Sequence, residues 1–553
     1  MKKSFILSIA LLAFSLGAAA QNQYWEYQSS VVLRPSSAVS IAHSNGYIYL
    51  FMADGNGQLS VTEIYHSTMQ PTGICQAFDA GTYLLDLRGV FENAQHEFVL
   101  YGTADQGNSV SPFYMVIDPT LATYSLKVVS PQLASAFIDG CNGFAGANEV
   151  YAFVTDAGEL YATDGYTNSR MCNSSTGEYY TDISWDATHL FFIASGVFAN
   201  NFANPTIVLD MFTVDFNAIS IIPNPNHPFT TLFRSVIEDV AYDEGEYQTM
   251  HVQLDDSHLL LYRCLRDGDN DIIWLTRIEN YWNNNVSVNE SRYYTLPLTK
   301  LLASDLLYDP VNNRVNLLGE LVYCSENHPR FLAQANPYIL QNFNARQMDG
   351  GMALPTSCVS MTNPDVFLYS TTFKAQKLAL NDYSSCAPVM VAGTNQLSGI
   401  LTATEDIGSA DCDIKLPVVE SVASPQITTL GYNFNIPACS VADSSLQVQP
   451  DAVSVYDLCQ DPNACFNAKK DSEEKIHTIS WNPYVDFQNR NRFTCHGFDG
   501  TIRYCIYDIT GRLLHSGTTY NECSVLLPNA CGLLILKAID EKGQQSVGKV
   551  NVY

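Results

Sequence analysis

The chain has 553 residues, a formal net charge of −28, and a charged share of only 15%, beside 32 tyrosines and 27 phenylalanines. The acidic balance excludes nucleic acid and anionic lipid as natural partners, because both repel a negative surface. Charged residues usually make up about 25% of a soluble domain. A surplus of aromatic and hydroxyl residues over charged ones is typical of β-rich proteins.

Residues 1–20 have the features of a cleavable signal peptide. Lys2 and Lys3 precede an apolar stretch over residues 5–16, and Ala18 and Ala20 fit the small-x-small cleavage rule. The alternative is a membrane anchor helix, but the stretch is shorter than the roughly 20 residues that a span needs. No later stretch reaches that length either, so we predict no transmembrane span. Cleavage would leave Gln21 first and a net charge of −30, since two lysines are lost.

All fifteen cysteines follow residue 74, and nine of them lie from Cys386 onward. Export to an oxidising compartment predicts disulfides, most of them in the C-terminal third. The absence of a cysteine before Cys75 leaves no lipoprotein acylation site near the signal peptide. No Cys/His spacing of a zinc site occurs, and we predict no metal and no cofactor.

An aromatic, β-branched strand pattern recurs every 40 to 67 residues. Each copy alternates with period two and is bounded by Asp, Asn or Gly, which predicts antiparallel strands. The copies, interpreted as the second strand of each repeat, are GYIYLF (46–51), EFVLYG (97–102), EVYAFV (149–154), HLFFIASG (189–196), YQTMHVQL (247–254), RVNLLGEL (314–321) and DVFLYS (365–370).

Seven such units predict an all-β fold with a β-propeller of about seven blades over residues 21–415. Six or eight blades, or two or three consecutive β-sandwiches, are the alternatives. The segment 24–33 is placed to complete the last blade. Residues 416–478 carry five prolines and a charged run at 469–475, and we interpret them as a connecting region with some strand.

Three units share the pattern Asp, aliphatic, any residue, aromatic, Asp, in DISWD, DVAYD and DLLYD. Their first acids are Asp182, Asp239 and Asp305. Propeller blades turn their first strands toward a central channel, so these acids are candidates for an acidic group that binds a cation or a basic group. The alternative is that they cap turns by accepting backbone N–H groups.

Residues 479–553 form a separate C-terminal unit with three strand–turn signals, which predict a small Ig-like β-sandwich. Its motifs are Asn482-Pro483, the turn Tyr507-Asp508-Ile509-Thr510-Gly511-Arg512, a strand entered through Gly532, and Lys549-Val550 near the end. Together these motifs resemble the type A C-terminal sorting domain of the type IX (Por) secretion system.

The resemblance covers about one seventh of the chain. It implies export in two steps, through the inner membrane by the signal peptide and then through the outer membrane by the secretion machinery. The expected location is the medium or the outer cell surface of a diderm bacterium. The resemblance implies nothing about the ligand of the larger unit.

No catalytic motif is found: HExxH, GxSxG and a P-loop are all absent, so we predict no catalytic residue. The segment 281–294 interleaves aromatics with amides, which makes Tyr281 and Trp282 candidates for contact with a ligand in a long loop. Asp267, Asp269 and Asp271 resemble the start of a calcium loop, but Ile272 stands where that loop needs glycine.

Two functions remain open. The first is a secreted or surface binding protein whose propeller loops recognise a glycan or a protein. The second is a secreted carbohydrate-active hydrolase or lyase with a carboxylate site on one propeller face. The missing nucleophile and metal motifs favour the binding protein.

Overall fold

A computed structural model describes residues 23–347 with short gaps, the longest being 236–248 and 322–329, then 374–377, 389–394 and 399–404, residues 414–457 with short gaps, and the strands between 478 and 552. These residues contain only strands and their connections, which confirms the all-β prediction. In this described part no helix is long and apolar enough to cross a membrane. The signal peptide, the DVFLYS segment and Asp239 lie outside the described residues.

The chain divides into two units, residues 1–464 and 465–553. In the first unit seven antiparallel sheets follow one another. Sheet 1 contains β2 (Pro35–Ala42), β3 (Tyr47–Asp54), β4 (Gln58–Tyr65) and β5 (Pro71–Asp79). Sheet 2 contains β6 (Leu84–Glu92), β7 (Phe98–Asp105), β8 (Val110–Ile117) and β9 (Tyr124–Ser130). Sheet 3 contains β10 (Phe137–Ala145), β11 (Asn148–Thr155), β12 (Leu160–Thr163) and β13 (Ser169–Ser174).

The remaining four sheets repeat this order. Sheet 4 contains β14 (Glu178–Asp186), β15 (Phe191–Phe198), β16 (Thr206–Asp215) and β18 (Phe229–Arg234), with β17 (Ser220–Pro223) beside β16. Sheet 5 contains β19 (Thr249–Gln253), β20 (His258–Asp267), β21 (Asn270–Glu279) and β22 (Ser287–Leu296). Sheet 6 contains β23 (Leu301–Asp309), β24 (Arg314–Leu321), β25 (Arg330–Ala335) and β26 (Asn344–Gln347). Sheet 7 contains β27 (Lys374–Lys377), β28 (Val389–Thr394), β29 (Gly399–Thr404) and β1 (Gln23–Ser29).

The N-terminal strand β1 pairs with β29, with Trp25 opposite Leu401. Residues 24–29 of the segment 24–33 therefore join sheet 7, whereas completion of a propeller blade stays a prediction. One strand prediction is wrong: YQTMHVQL supplies the first strand of sheet 5, and the second strand is β20. Composition does not distinguish these two strands, because β19 also contains apolar residues, Met250 and Val252, that alternate with polar ones.

First strands of consecutive sheets contact one another: β2 with β6, β6 with β10, β10 with β14, β14 with β19, β19 with β23, β23 with β27, and β27 with β2. Apolar cores fill the spaces between consecutive sheets. The second strands serve two cores at once, as β3 shows: Tyr49 and Phe51 pack toward sheet 2, while Leu50 and Met52 pack toward sheet 7. This use of both faces explains why the second strands are nearly continuously apolar.

Residues 414–457, here called the girdle, add one outer strand to every one of these seven sheets, which gives six strands in sheet 4 and five in each of the others. Its strands are β30 (Ile414–Lys415), β31 (Val419–Val422), β32 (Gln426–Gly431), β33 (Phe434–Asn435), β34 (Ser440–Ser444), β35 (Gln447–Pro450) and β36 (Val453–Asp457). They pair with β26, β22, β18, β13, β9, β5 and β1 in that order. The girdle thus passes sheets 6 to 1 in reverse chain order and ends on sheet 7.

Asp451, between two girdle strands, connects three parts of the first unit. Its carboxylate accepts hydrogen bonds from the Ser29 hydroxyl at 2.8 Å and the Ser30 N–H at 3.1 Å, and from the Ser60 hydroxyl. Ser29 is the last residue of β1 in sheet 7 and Ser30 follows it, whereas Ser60 lies on β4 in sheet 1. One girdle carboxylate therefore bridges the sheet that carries the N-terminal strand and the sheet that follows it.

The second unit contains two antiparallel sheets. One contains β37 (Thr478–Trp481), β38 (Arg492–His496) and β41 (Ser524–Leu526). The other has the order β40 (Leu513–Tyr520), β39 (Thr501–Asp508), β42 (Gly532–Ile539) and β43 (Gln545–Val552). Strand β37 contacts β43, so the two sheets are neighbours.

Replacement of Asp451 by alanine is expected to lower the free energy of unfolding by about 1–3 kcal/mol, because several hydrogen bonds to one charged acceptor are lost. Urea denaturation of the full chain measures this. The matched control is Glu420→Ala on another girdle strand, whose surface pair with Arg292 should contribute less than about 1 kcal/mol. Equal losses in the two variants would contradict the bridging role of Asp451.

Candidate functional site

Backbone bulges place the candidate acids on the first strands. The strand registers shift between Phe137 and Asp139 in β10, between Tyr180 and Asp182 in β14, and between Ala303 and Asp305 in β23. A bulge turns the residue that follows it away from the regular alternation. An aspartate follows the bulge in all three strands, so the backbone presents the same chemistry from sheets 3, 4 and 6.

The second strands accommodate these bulges with glycine. A Cβ added to Gly196 would lie 2.1 Å from the Tyr179 carbonyl oxygen, and one added to Gly319 would lie 2.3 Å from that of Leu302. Those contacts are with backbone atoms, which cannot rotate away. Glycine is therefore required opposite the bulges that precede Asp182 and Asp305.

Asp182 is held by His251, which lies on the first strand of the next sheet. The Asp182 Oδ2 atom lies 2.7 Å from His251 Nδ1 and accepts the His251 backbone N–H at 2.6 Å. Burial alone would raise the pKa of the Asp182 carboxyl, but the His251 charge and these hydrogen bonds outweigh it and hold the pKa below its ordinary value. Asp182 is accordingly a carboxylate at neutral pH.

The His251 ring has polar partners on both nitrogens. Its Nε2 lies 2.6 Å from the Ser184 Oγ atom, and its Nδ1 lies 2.9 Å from the Ser195 Oγ atom as well as close to Asp182. His251 itself is only 5% exposed. The imidazole is therefore fixed in orientation by groups of sheet 4, although it belongs to sheet 5.

Asp139 extends this group into sheets 2 and 3. Its carboxyl accepts the Ile183 N–H at 2.8 Å and the Tyr101 hydroxyl at 3.1 Å, which places it beside Asp182. Burial raises the pKa of the Tyr101 hydroxyl well above its usual value, and the charges of Asp139 and Asp305 raise it further. Acids from sheets 3, 4 and 6 thus act on one region.

We call this group the inner-strand cluster. Its members share a position on the first or second strand of a sheet and a polar group directed to its neighbours: Tyr101, Asp139, Cys141, Asp182, Ser184, Ser195, His251 and Asp305. Burial, followed by the charges of Asp139 and Asp182, raises the pKa of the Cys141 thiol well above its ordinary value. That thiol is therefore protonated and is a poor nucleophile.

Sheet 2 contributes a cation beside the bulge of its own first strand. Arg88 Nη2 lies 2.7 Å from the Asp86 carboxylate. Burial raises the pKa of the Asp86 carboxyl, against the effect of the Arg88 charge and of a hydrogen bond from Ser37.

Within the described residues, no group of three or more His, Cys, Asp or Glu side chains is arranged to hold a metal ion.

Tyr281 and Trp282 lie apart from the inner-strand cluster. Tyr281 is fully buried, and its hydroxyl donates to Asp186 at 2.8 Å and accepts from the Gln253 amide at 2.7 Å. Trp282 stacks on the His189 ring at a centroid distance of 4.9 Å. The two aromatics pack sheet 5 against the first hairpin of sheet 4, and a residue as buried as Tyr281 offers no surface to a ligand.

The same contact recurs one sheet later. Asp186, the closing acid of DISWD, caps its turn by accepting the N–H groups of Thr188 and His189. Asp255 accepts the N–H groups of Ser257 and His258 and the Tyr338 hydroxyl in an equivalent arrangement. A turn aspartate of one sheet and a tyrosine of the next thus form a repeated latch between sheets.

The predicted residues of the C-terminal unit lie mostly on one sheet. Tyr507 and Asp508 end β39, Gly532 begins β42, and Lys549 on β43 pairs with Ile535. Gly511, Arg512 and the Asn-Pro pair lie outside the described residues. The disulfides expected in the C-terminal third stay a prediction. The cysteines with described side chains lie in the first unit and are thiols: Cys75, Cys141 and Cys264.

Sequence reasoning found Asp182 and Asp305 but missed Asp139, His251, Ser184 and Tyr101. Asp139 stands in the sequence IDGCN, which has the bulge aspartate without the aliphatic and aromatic residues of the other copies. A search for one aspartate per first strand, rather than for the full five-residue pattern, would have found it. No protein-family model matches the chain, and no curated protein matches it either.

Replacement of Tyr281 by phenylalanine is expected to lower the free energy of unfolding by about 1–3 kcal/mol, because the buried Asp186 carboxylate loses a donor. Chemical denaturation checks this. The control is Tyr65→Phe, since Tyr65 is 44% exposed and should change stability by less than about 0.5 kcal/mol. A neutral Tyr281→Phe variant would show that the latch does not stabilise the fold.

Asp186 should make stability depend on acid pH. Burial opposes its charge, but hydrogen bonds from the His189 N–H, the His189 ring and the Tyr281 hydroxyl hold its pKa below the ordinary value. Such a carboxylate stabilises the fold above its unfolded pKa of about 4, and this contribution is lost as the pH falls through the folded pKa. Wild type should therefore exceed Asp186→Asn in stability at pH 7, and the difference should shrink toward pH 3.

Urea denaturation at pH 7, 5, 4 and 3 measures this difference. Asp215→Asn, at an exposed turn, is the matched control and should follow wild type at every pH. A wild-type advantage that stays constant down to pH 3 would contradict the assignment.

Proposed function

We propose that the protein is an exported binding protein whose seven sheets are the blades of a β-propeller. Three findings support the propeller: the sheets share one strand order, their first strands contact one another from β2 through β27 and back to β2, and β1 joins the strands of sheet 7. The Asp305 charge of sheet 6 also acts on Tyr101 of sheet 2, two sheets that are not consecutive. Consecutive β-sandwiches would separate these residues.

The proposed binding region is the inner-strand cluster, and the ligand chemistry that it favours is a cationic group. The observation that carries this is the convergence of Asp139, Asp182 and Asp305 from three different sheets. Asp182 remains charged, and the Asp182 side chain is 18% exposed. The strongly acidic chain would add long-range attraction for a cation.

Carbohydrate cleavage by two carboxylates is less well supported. The two acids of a glycosidase stand about 5 Å or more apart, so that substrate or water fits between them. Asp139 instead accepts the N–H of Ile183, the residue next to Asp182, at 2.8 Å, so the two acids lie side by side. The binding proposal therefore stands ahead of the carbohydrate-active one.

Binding is tested with the mature protein, residues 21–553, and two cationic probes, an oligolysine peptide and a glucosamine oligomer. At least one should bind, more weakly as salt increases, and Asp139→Asn with Asp305→Asn should weaken binding at least tenfold. Asp256→Asn, at an exposed turn, is the control and should bind as wild type does. An acetylated oligomer and an oligoglutamate peptide should not bind.

The two probes separate a protein ligand from an amino-sugar ligand. Binding of neither would overturn the cationic ligand class. Equal binding by Asp139→Asn with Asp305→Asn and by wild type would show that the inner-strand cluster is not the site.

We further propose that residues 479–553 direct the protein across the outer membrane as a C-terminal sorting domain of an Ig-like sandwich type. The support for the sorting role is the set of sequence motifs from Asn482-Pro483 through Tyr507-Asp508 to Lys549-Val550. In a host with the type IX machinery, a chain that lacks residues 479–553 should lose its signal peptide but stay inside the outer membrane, whereas the full chain reaches the surface or the medium. Fractionation measures this, and export of the shortened chain would contradict the proposal.

A further inference from the structure

Three side chains of the inner-strand cluster form an ordered chain of hydrogen bonds. The Ser184 Oγ atom lies 2.6 Å from His251 Nε2, and His251 Nδ1 lies 2.7 Å from Asp182 Oδ2. The serine and the carboxylate thus contact opposite nitrogens of one imidazole. That order matters, because only a ring held this way can accept a proton from the serine while the carboxylate stabilises the resulting imidazolium.

The surroundings favour the required protonation states. Asp182 Oδ2 lies 2.7 Å from Nδ1, and a carboxyl oxygen there favours the ring tautomer that carries its proton on Nδ1 and leaves Nε2 as the acceptor. Ser195 lies 2.9 Å from the same Nδ1 atom and so shares the positioning side of the ring. Ser184 lies on β14 and is half-buried.

Another serine near a histidine shows the contrast. The Ser44 Oγ atom lies 3.0 Å from His96 Nδ1, and Glu92 Oε1 contacts that same nitrogen. The serine and the acid there compete for one ring nitrogen, so no relay through the ring is possible. Ser44 and His96 are exposed and provide a matched control in the same chain.

We propose that Ser184 is a nucleophile for acyl transfer, with His251 as its general base and Asp182 as the positioning residue. In the forward step the Ser184 oxygen attacks the carbonyl carbon of an ester while its proton passes to His251 Nε2. The bond to the leaving alcohol then breaks, and that alcohol takes the proton from His251. Water attacks the acyl-serine, His251 accepts its proton and returns it to Ser184, and a carboxylic acid leaves.

The substrate class is a carboxylic ester that carries a positive charge. The ester part of this inference stands on the Ser184–His251–Asp182 geometry alone. The preference for a charged ester rests on the proposed function, because the acids of the inner-strand cluster would hold the cation.

A fluorophosphonate probe, which reacts with activated serines, tests the nucleophile in the mature protein. We expect covalent labelling of wild type at Ser184, located by mass spectrometry of the peptide. Ser184→Ala should abolish labelling, and His251→Gln should slow it at least 100-fold. Ser44→Ala should label at the wild-type rate. Thermal denaturation of each variant shows whether it is folded.

The Asp182→Asn variant distinguishes a role of Asp182 in positioning the His251 ring from a purely structural role. A positioning residue should lower kcat at least 100-fold on a neutral nitrophenyl ester with little change in KM, while the melting temperature stays near that of wild type. If Asp182→Asn unfolds the protein, Ser184→Ala still decides the proposal, because it removes one hydroxyl from a half-buried site. Absence of labelling in folded wild type, or labelling of another serine, would overturn the assignment.

A pair of substrates distinguishes the two proposals. A carboxylic ester of a trimethylammonium alcohol should be turned over with at least tenfold higher kcat/KM than its uncharged tert-butyl isostere, and Asp305→Asn should reduce that ratio. Turnover of both at equal rates would retain the nucleophile and refute the cationic ligand class. Turnover of neither, with no labelling, would refute the nucleophile and leave the binding tests to judge the proposed function.

Discussion

The first unit depends on the need of every β-sheet edge for hydrogen-bond partners. Each four-stranded sheet would end in a row of unpaired backbone groups, and such edges are templates for pairing with other chains. The girdle satisfies all seven edges with one continuous segment of the same chain. Since consecutive girdle strands lie on consecutive sheets, the short connections between them join neighbouring sheets covalently, which strand pairing within a single sheet cannot do.

The inner-strand cluster lies at the first strands, which form the edge of each sheet opposite the girdle. Apolar cores occupy the spaces between consecutive sheets, so first strands are brought side by side where those cores end. Bulges there change the direction of one residue per strand, and the sequence places aspartate at that residue in sheets 3, 4 and 6. Glycines at 196 and 319 let the second strand approach the bulge. The polar group is therefore a product of the same packing that forms the cores.

Much of this arrangement is readable from the sequence, for physical reasons. The second strands bury both faces and so carry a continuous apolar signal, which located correctly five of the six copies that lie among the described residues. The all-β class and the role of the N-terminal strand follow from the same patterns. The copy at 247–254 was misplaced within its sheet because a short first strand near an apolar second strand gives a similar signal.

Other features leave no local signal. The girdle strands are short, contain proline, and expose apolar residues such as Val422 at 72%, so their composition resembles that of a linker. Their partners lie far earlier in the chain, from 67 residues for the pair Gln347 and Ile414 to 432 residues for the pair Trp25 and Asp457. The Ser184–His251 contact likewise joins strands of different sheets, 67 residues apart, and no spacing rule applies to it. Such contacts are set by the order of sheets rather than by any short stretch of chain.

The girdle also determines how the first unit would respond to force. A pull on residue 457 loads an edge strand from its end, so the hydrogen bonds of β36 would open one after another rather than together. Once β36 is detached, the load passes to β35 on sheet 1, then to β34 on sheet 2, and onward in sequence. Tension applied through the C-terminal end of this unit would thus be dissipated in a series of small extensions. The rest of each sheet would stay folded until every girdle strand had detached.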